Sequence, residues 1–132
     1  MSHLTHIKTT IKNSEVLERV LSQMIESGLG GILTNASLEK YGTITDYYKK
    51  QAVTDFVIRR NKYNDFGFVL NSQGEYEFIS DNDAKNKREF LAQLTPWYAR
   101  ENAIAALIAQ GFEIESQIEE NGTVKIIAGK WA

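Results

Sequence analysis

Apolar residues recur along this chain at two periods, and the switches between them mark out its elements. Val16-Leu17, Val20-Leu21 and Met24-Ile25 are adjacent apolar pairs four residues apart, the stripe of an amphipathic helix. Asn13 and Ser14 both suit its N-cap, Glu15 suits the positive end of its dipole, and Gly28 supplies the stop. A second helix is predicted from Thr95 to Gly111. Thr95 caps it, Pro96 fits the first turn, and Trp97, Ile104, Leu107 and Ile108 form its stripe. Phe90, Leu91 and Leu94 open a helical segment just before it, which Pro96 kinks or restarts.

Elsewhere the period is two. Ser2 to Lys12 reads as a strand with Thr5, Ile7, Thr9 and Ile11 on its buried face and His6, Lys8 and Lys12 on its polar one. Ala52 to Arg59 is apolar on both faces, as an interior strand is. Phe66 to Leu70 and Tyr76 to Ile79 flank Asn-Ser-Gln-Gly and form a hairpin. After the second helix, Phe112, Ile114, Ser116 and Ile118 alternate with Glu113, Glu115 and Gln117. Asn121-Gly122 then turns the chain into Val124, Ile126 and Ala128, so that Glu113 or Glu115 can face Lys125. Trp131 is expected to anchor the end of the chain.

Residues 29–51 follow neither period and read as an irregular connector, with short helical turns at Leu38–Tyr41 and Asp46–Lys50. Its Tyr41, Tyr47 and Tyr48 stand among Lys40, Lys49 and Lys50, an aromatic and basic patch of the kind that stacks bases. A partly buried loop is the simpler account. The predicted fold is α+β, one domain over residues 1–132, with a single antiparallel sheet of five to six strands and both helices packed on one face. Its core is expected from Ile7, Val20, Leu21, Met24, Phe56 and Ile58, continued by Phe68, Phe78, Ile104, Leu107, Ile108, Ile114 and Ile126.

Composition narrows function mainly by exclusion. A net charge of −2 argues against broad DNA binding. The absence of cysteine removes disulfides, thiolate nucleophiles and cysteine zinc sites, and fits a reducing cytoplasm. No apolar run reaches the roughly 20 residues that span a bilayer, and no signal-peptide core opens the chain.

The opening Met1–Lys12, with Asp65-Phe-Gly-Phe68, Tyr76–Asp81, Trp97-Tyr-Ala-Arg100, Gln110-Gly-Phe112 and Asn121-Gly-Thr123, resembles a known family. It is the cyanobacterial and plastid family called hypothetical chloroplast reading frame thirty-five, a domain of unknown function. The resemblance covers nearly the whole chain, with no motif from residues 29–51. It implies a small soluble protein of cyanobacterial, plastid or related phage origin, in the cytoplasm or the plastid stroma, and it brings no catalytic residues with it.

Catalytic and metal chemistry find little support. His3 and His6 point to opposite faces of a strand, so they cannot share a metal there. No Gly-x-Ser-x-Gly elbow is present for a serine nucleophile. The glycines at 28, 30 and 31 lack the Lys-Ser/Thr of a phosphate loop. Asp81-Asn-Asp83 lacks the glycine of a calcium loop at its sixth position, Asn86, and reads as a helix cap. No cofactor and no metal are expected. Two candidate sites remain. Trp97, Tyr98, Arg100 and Glu101 lie within one turn of the second helix and are expected to line a cleft or a polar part of the interior, with the charges paired to strand residues or left partly unpaired for a ligand. Lys8, Lys12, Arg59 and Arg60 form a basic surface if the first strand lies near the third. The expected function is a small non-catalytic binding or regulatory module engaging another protein or a second copy of itself. The alternative is a binder of a small anionic ligand or single-stranded nucleic acid.

Overall fold

In the computed structural model, which describes residues 4–61, 64–81, 84–121 and 123–130, strand β1 (Thr5–Lys8) leads through Asn13 into helix α1 (Ser14–Ser27). Strands β2 (Ser37–Lys40), β3 (Thr43–Thr45), β4 (Gln51–Val53), β5 (Phe56–Arg59), β6 (Phe66–Leu70) and β7 (Tyr76–Ser80) follow. Helix α2 (Ala84–Ala109) and strands β8 (Phe112–Glu120) and β9 (Thr123–Lys130) complete the order. The main sheet has five strands in the order β1-β7-β6-β5-β2, every neighbouring pair antiparallel. The fold is α+β, with both helices on one face of this sheet.

The register explains that face. Ile7, Phe78, Phe68 and Phe56 fall in one row across four strands, and Ser80, Phe66 and Ile58 in the next. Every second side chain of each strand therefore points at the helices. Phe90 of α2 inserts among them, its ring centroid 4.8 Å from Phe66, 5.7 Å from Phe78 and 6.2 Å from Phe68. Val16, Leu17, Val20, Leu21 and Met24 of α1 are buried on the same face, as their period requires. Asn13 is the N-cap: its Oδ1 accepts from the backbone N–H of Glu15 at 3.1 Å and of Val16 at 3.2 Å. Gly28 closes the helix in the left-handed region at φ 73°, where a glycine carries no Cβ penalty.

Helix α2 corrects the expectation of a start at Thr95, because it runs unbroken for 26 residues through Pro96. Pro96 and Ala92, whose carbonyl loses its i+4 donor, both lie on the exposed side, where water can take that carbonyl. The Thr95 hydroxyl adds a bond to the Leu91 carbonyl at 3.1 Å.

The connector also differs from expectation. Leu38–Tyr41 is not helical; residues 37–40 pair with β5 as the sheet's second edge. Thr54 and Asp55 break the expected Ala52–Arg59 strand in two. Its first part, β4, leaves the sheet and pairs with β3. This β3–β4 hairpin folds over the sheet's back face, where Val57, Gly67 and Ile79 share a row. A side chain at Gly67 would meet Thr54 Cγ2 at 2.9 Å and Ile44 Cδ1 at 3.6 Å, so the bare glycine is what lets the hairpin settle. Ile44, Val57 and Ile79 are buried beneath it.

Strands β8 and β9 form a separate two-stranded ribbon packed against α2 rather than an addition to the main sheet. A bulge between Ile114 and Ser116 shifts the register by one residue and reverses the alternation beyond it. Ile118 thereby moves to the outer face and stands opposite Lys125, so neither Glu113 nor Glu115 faces that lysine. Of the expected core, Ile7 and Ile108 are exposed, while Leu107, Ile114 and Ile126 are half-buried. Ile7 is on an edge strand, and the other four belong to the α2 end and its ribbon, where no second layer covers them. The roles expected of His3, Asp83, Gly122 and Trp131 lie outside the described residues.

Candidate functional site

Strand β1 is an edge. Thr9 donates its backbone N–H to the Tyr76 carbonyl at 3.2 Å, so by antiparallel alternation Ile7 and Thr5 also bond inward to β7. The backbone N–H and C=O groups of His6 and Lys8 then point outward, away from the sheet. Beside this open edge, on the helix face, runs a groove of about 870 Å³ between β1 and α2. Ile7 and Ile11 line it on the strand side, and Leu91, Ala99, Ala103 and Ala106 on the helix side. The three alanines recur at i, i+4 and i+7, so small side chains form one continuous wall and hold the groove open.

Charges of both signs border the groove. Lys8 borders it, Lys87 of α2 reaches the Thr5 hydroxyl at 3.4 Å, and Glu75 is the acid on its rim. At its far end Tyr98 and Asn102 are shared with a second cavity of about 560 Å³, lined also by Lys12, Asn13 and Glu15. The Tyr98 oxygen accepts from the backbone N–H of Asn13 at 3.1 Å and of Lys12 at 3.4 Å, which pins the β1–α1 connection to α2. On the back of the edge, His6 Nδ1 lies 3.2 Å from Glu77 Oε1. The Asn71 amide, and after it His6, hold the Glu77 carboxyl below the ordinary glutamate value.

The four aromatic and charged residues near Pro96 do not share one surface. Tyr98 faces the groove and the β1–α1 connection. Trp97 and Glu101, one turn apart, face α1, where Gln23 joins them: the indole Nε1 donates to Gln23 Oε1 at 2.7 Å and Gln23 Nε2 donates to Glu101 Oε1 at 3.0 Å. Arg100 lies over the Trp97 ring, 5.5 Å from its centre. The partner of Glu101 is thus a helix residue, not the strand residue expected.

The four basic residues are also divided. Lys8 and Lys12 border the two cavities beside Tyr98, whereas β7 and β6 separate β1 from β5. With the register offset added, Lys8 and Arg59 lie roughly 20 Å apart along the back of the sheet. Arg59 and Arg60 are engaged in closing loops. Arg59 donates to Glu39 Oε2 at 2.8 Å, the Thr43 carbonyl at 2.6 Å and Asp65 Oδ2 at 3.2 Å. The hydrogen bond from Arg59 lowers the Glu39 carboxyl from its ordinary value. Arg60 donates to the carbonyls of Ile32 and Asn64 and covers the Phe66 ring at 4.5 Å.

Among the described residues, no group of three or more histidine or acidic side chains is placed to hold a metal, and no helix is long and apolar enough to cross a membrane. The sequence reading passed over the groove's helix wall. Its signal was the spacing of Ala99, Ala103 and Ala106, which a propensity argument counts only as helix formers.

The arrangement defines an α+β protein on a five-stranded antiparallel sheet, with a lined groove along an open edge. The family described as a protein of unknown function (DUF1257) matches residues 33–127, and the chain belongs to that family. The match takes in most of the connector, from which no motif of the resemblance came. Among its relatives are the uncharacterised protein ycf35 of Cyanophora paradoxa, 27% identical over 136 residues, and that of Pyropia yezoensis, 28% identical over 138. That of Guillardia theta is 26% identical over 136 residues. Each alignment spans 99% of this chain and 98% of the relative. These relatives are plastid reading frames. No solved structure matches the chain.

Proposed function

We propose that this protein is a non-catalytic module that engages another protein through the groove between β1 and α2, in the cytoplasm or, for a plastid-encoded copy, the stroma. The observation that carries this reading is a lined groove of about 870 Å³ lying directly beside outward-facing backbone groups. An extended segment can add to such an edge by main-chain hydrogen bonds while every second side chain enters the groove. The alanine wall admits aliphatic side chains there. The alternate side chains fall on the back of the edge beside His6 and Lys8, so the segment fits best with acidic residues at those positions. The test is photo-cross-linking in cells from a benzophenone side chain placed at Ala103, with the linked peptides identified by mass spectrometry. One recurring extended segment of another protein is expected from this position, lost when Ala99→Trp fills the groove, and absent from a probe at Arg19 on the exposed side of α1. No adduct at Ala103, or the same adducts from Arg19, overturns the reading.

A second reading, binding of a small anion or single-stranded nucleic acid, draws support from another place. Tyr47 and Tyr48 are 62% and 58% exposed, not partly buried as the simpler account of the connector had it, and Lys49 and Lys50 are exposed beside them. The turn is mounted firmly: Asp46 Oδ1 accepts from Lys50 N–H at 2.9 Å and Asp81 Oδ2 from Tyr47 N–H at 2.8 Å. Exposed aromatic rings with adjacent lysines can stack bases and neutralise phosphates. Calorimetry with short single strands at low salt is then expected to show binding that weakens with added salt and in Lys49→Gln/Lys50→Gln. No heat of binding at low salt removes this reading.

A further inference from the structure

We infer that the outer edge of β9 is a self-pairing surface, through which two copies of this chain join their C-terminal ribbons into one four-stranded sheet. The inference is independent of the groove and rests on the ribbon alone. A two-stranded ribbon has little stability by itself, and this one is supported mainly along α2. Its outer face leaves Ile118 39% and Ile127 37% exposed. Each strand keeps one edge that no other described strand pairs.

The two edges differ in what they permit. Two copies of one strand related by a two-fold axis pair antiparallel with one residue opposite its own copy, and the greatest overlap then fixes the register. For β8 that register sets Glu113 against the partner's Glu119, and by symmetry the same pair occurs twice; like charges placed opposite each other oppose pairing. For β9 the axis falls on Ile126 or Ile127, which sets Lys125 against the partner's Ile127 or the partner's Gly129. No charge meets a like charge, and the centre of the contact is a ladder of β-branched side chains. The strand contains neither proline nor an acidic residue. Edge strands that must stay single are usually guarded by charge, proline or bulges. Here β8 carries the acids and the bulge, and β9 has none of either.

The test is sedimentation equilibrium on the full chain with hydrogen exchange across a dilution series. The expected mass rises toward twice 15.0 kDa with concentration, and β9 amides slow in step while the outer amides of β8 do not. Ile127→Lys, at the centre of the contact, should return the mass to one copy. Ile118→Lys, on the same face but on β8, should leave dimerisation unchanged. A single-copy mass at every concentration overturns the inference, and so do equal losses in both variants, which would mean packing by faces. Dimerisation that survives Ile127→Lys, or protection that does not follow β9, places the contact elsewhere and also overturns it. The exchange measurement on the unaltered chain decides the matter even if a variant folds poorly.

Discussion

Phe90→Ala is expected to destabilise the fold by about 3–5 kcal/mol, the range for removing a large aromatic side chain from a packed core. Phe90 is fully buried, and its ring meets three phenylalanines of the sheet, Phe66, Phe68 and Phe78. Truncation loses the burial of the ring and its tilted and stacked contacts, and leaves a cavity whose walls are strands fixed by their ladders. A chain of this size should melt about 10–20 °C lower. Leu107→Ala is the comparison. Leu107 sits on the same helix but is half-buried under the ribbon, so its loss should cost less than about 2 kcal/mol. Urea unfolding of the two variants checks the ordering. A Phe90→Ala midpoint no lower than that of Leu107→Ala would mean that α2 does not present Phe90 to the sheet.

That comparison also shows which parts of the fold were legible in the sequence. Helix α1 and the β6–β7 hairpin were, because each buries one complete face and a complete face leaves an unbroken period. The far end of α2 was not. Its stripe continues through Leu107 and Ile108, but the sheet ends before they do, and Ile108 is 56% exposed. The β3–β4 hairpin had no period to read, since Ile44 supplies its buried contact while Val53, an equally apolar residue, faces solvent. What seats that hairpin is a missing side chain at Gly67, distant in sequence. The bulge at Glu115 is hidden for a related reason: one extra residue changes every later side chain's face without changing composition.

Of the candidate surfaces, the sequence located the residues of α2 but not their directions. Neighbours on a helix diverge by about 100°. Tyr98 therefore reaches the β1–α1 connection while Trp97 and Glu101 reach Gln23. The adjacent arginines at 59 and 60 read as free positive charge because Glu39, Thr43 and Ile32, three of their acceptors, lie 16 to 28 residues away. Their acceptors include the backbone carbonyls of Ile32, Thr43 and Asn64, which carry no sequence signature at all.

Those arginines lead to the second large effect. Asp65→Ala is expected to cost about 3–5 kcal/mol, whereas Asp65→Asn should retain most of the stability. Asp65 is buried, and one carboxylate oxygen, Oδ1, accepts the backbone N–H of Arg60 at 2.7 Å and of Asn61 at 3.0 Å. The other, Oδ2, accepts from Arg59 Nη1 at 3.2 Å. Alanine takes the Oδ1 acceptor from two backbone donors, and it removes the anion beside a guanidinium that also holds Glu39 and the Thr43 carbonyl. Asparagine keeps an oxygen for the two amides and gives up only the charge opposite Arg59, whose pairing with Glu39 persists. Thermal unfolding of both variants, with hydrogen exchange at Arg60 and Asn61, separates the contributions. Alanine should speed exchange at both amides and loosen the β3–β4 hairpin, since Arg59 would lose one of the acceptors that orient it toward Thr43. If asparagine proves as damaging as alanine, the ion pair outweighs the turn's hydrogen bonds, and Arg59 rather than the backbone is what holds this corner of the sheet closed.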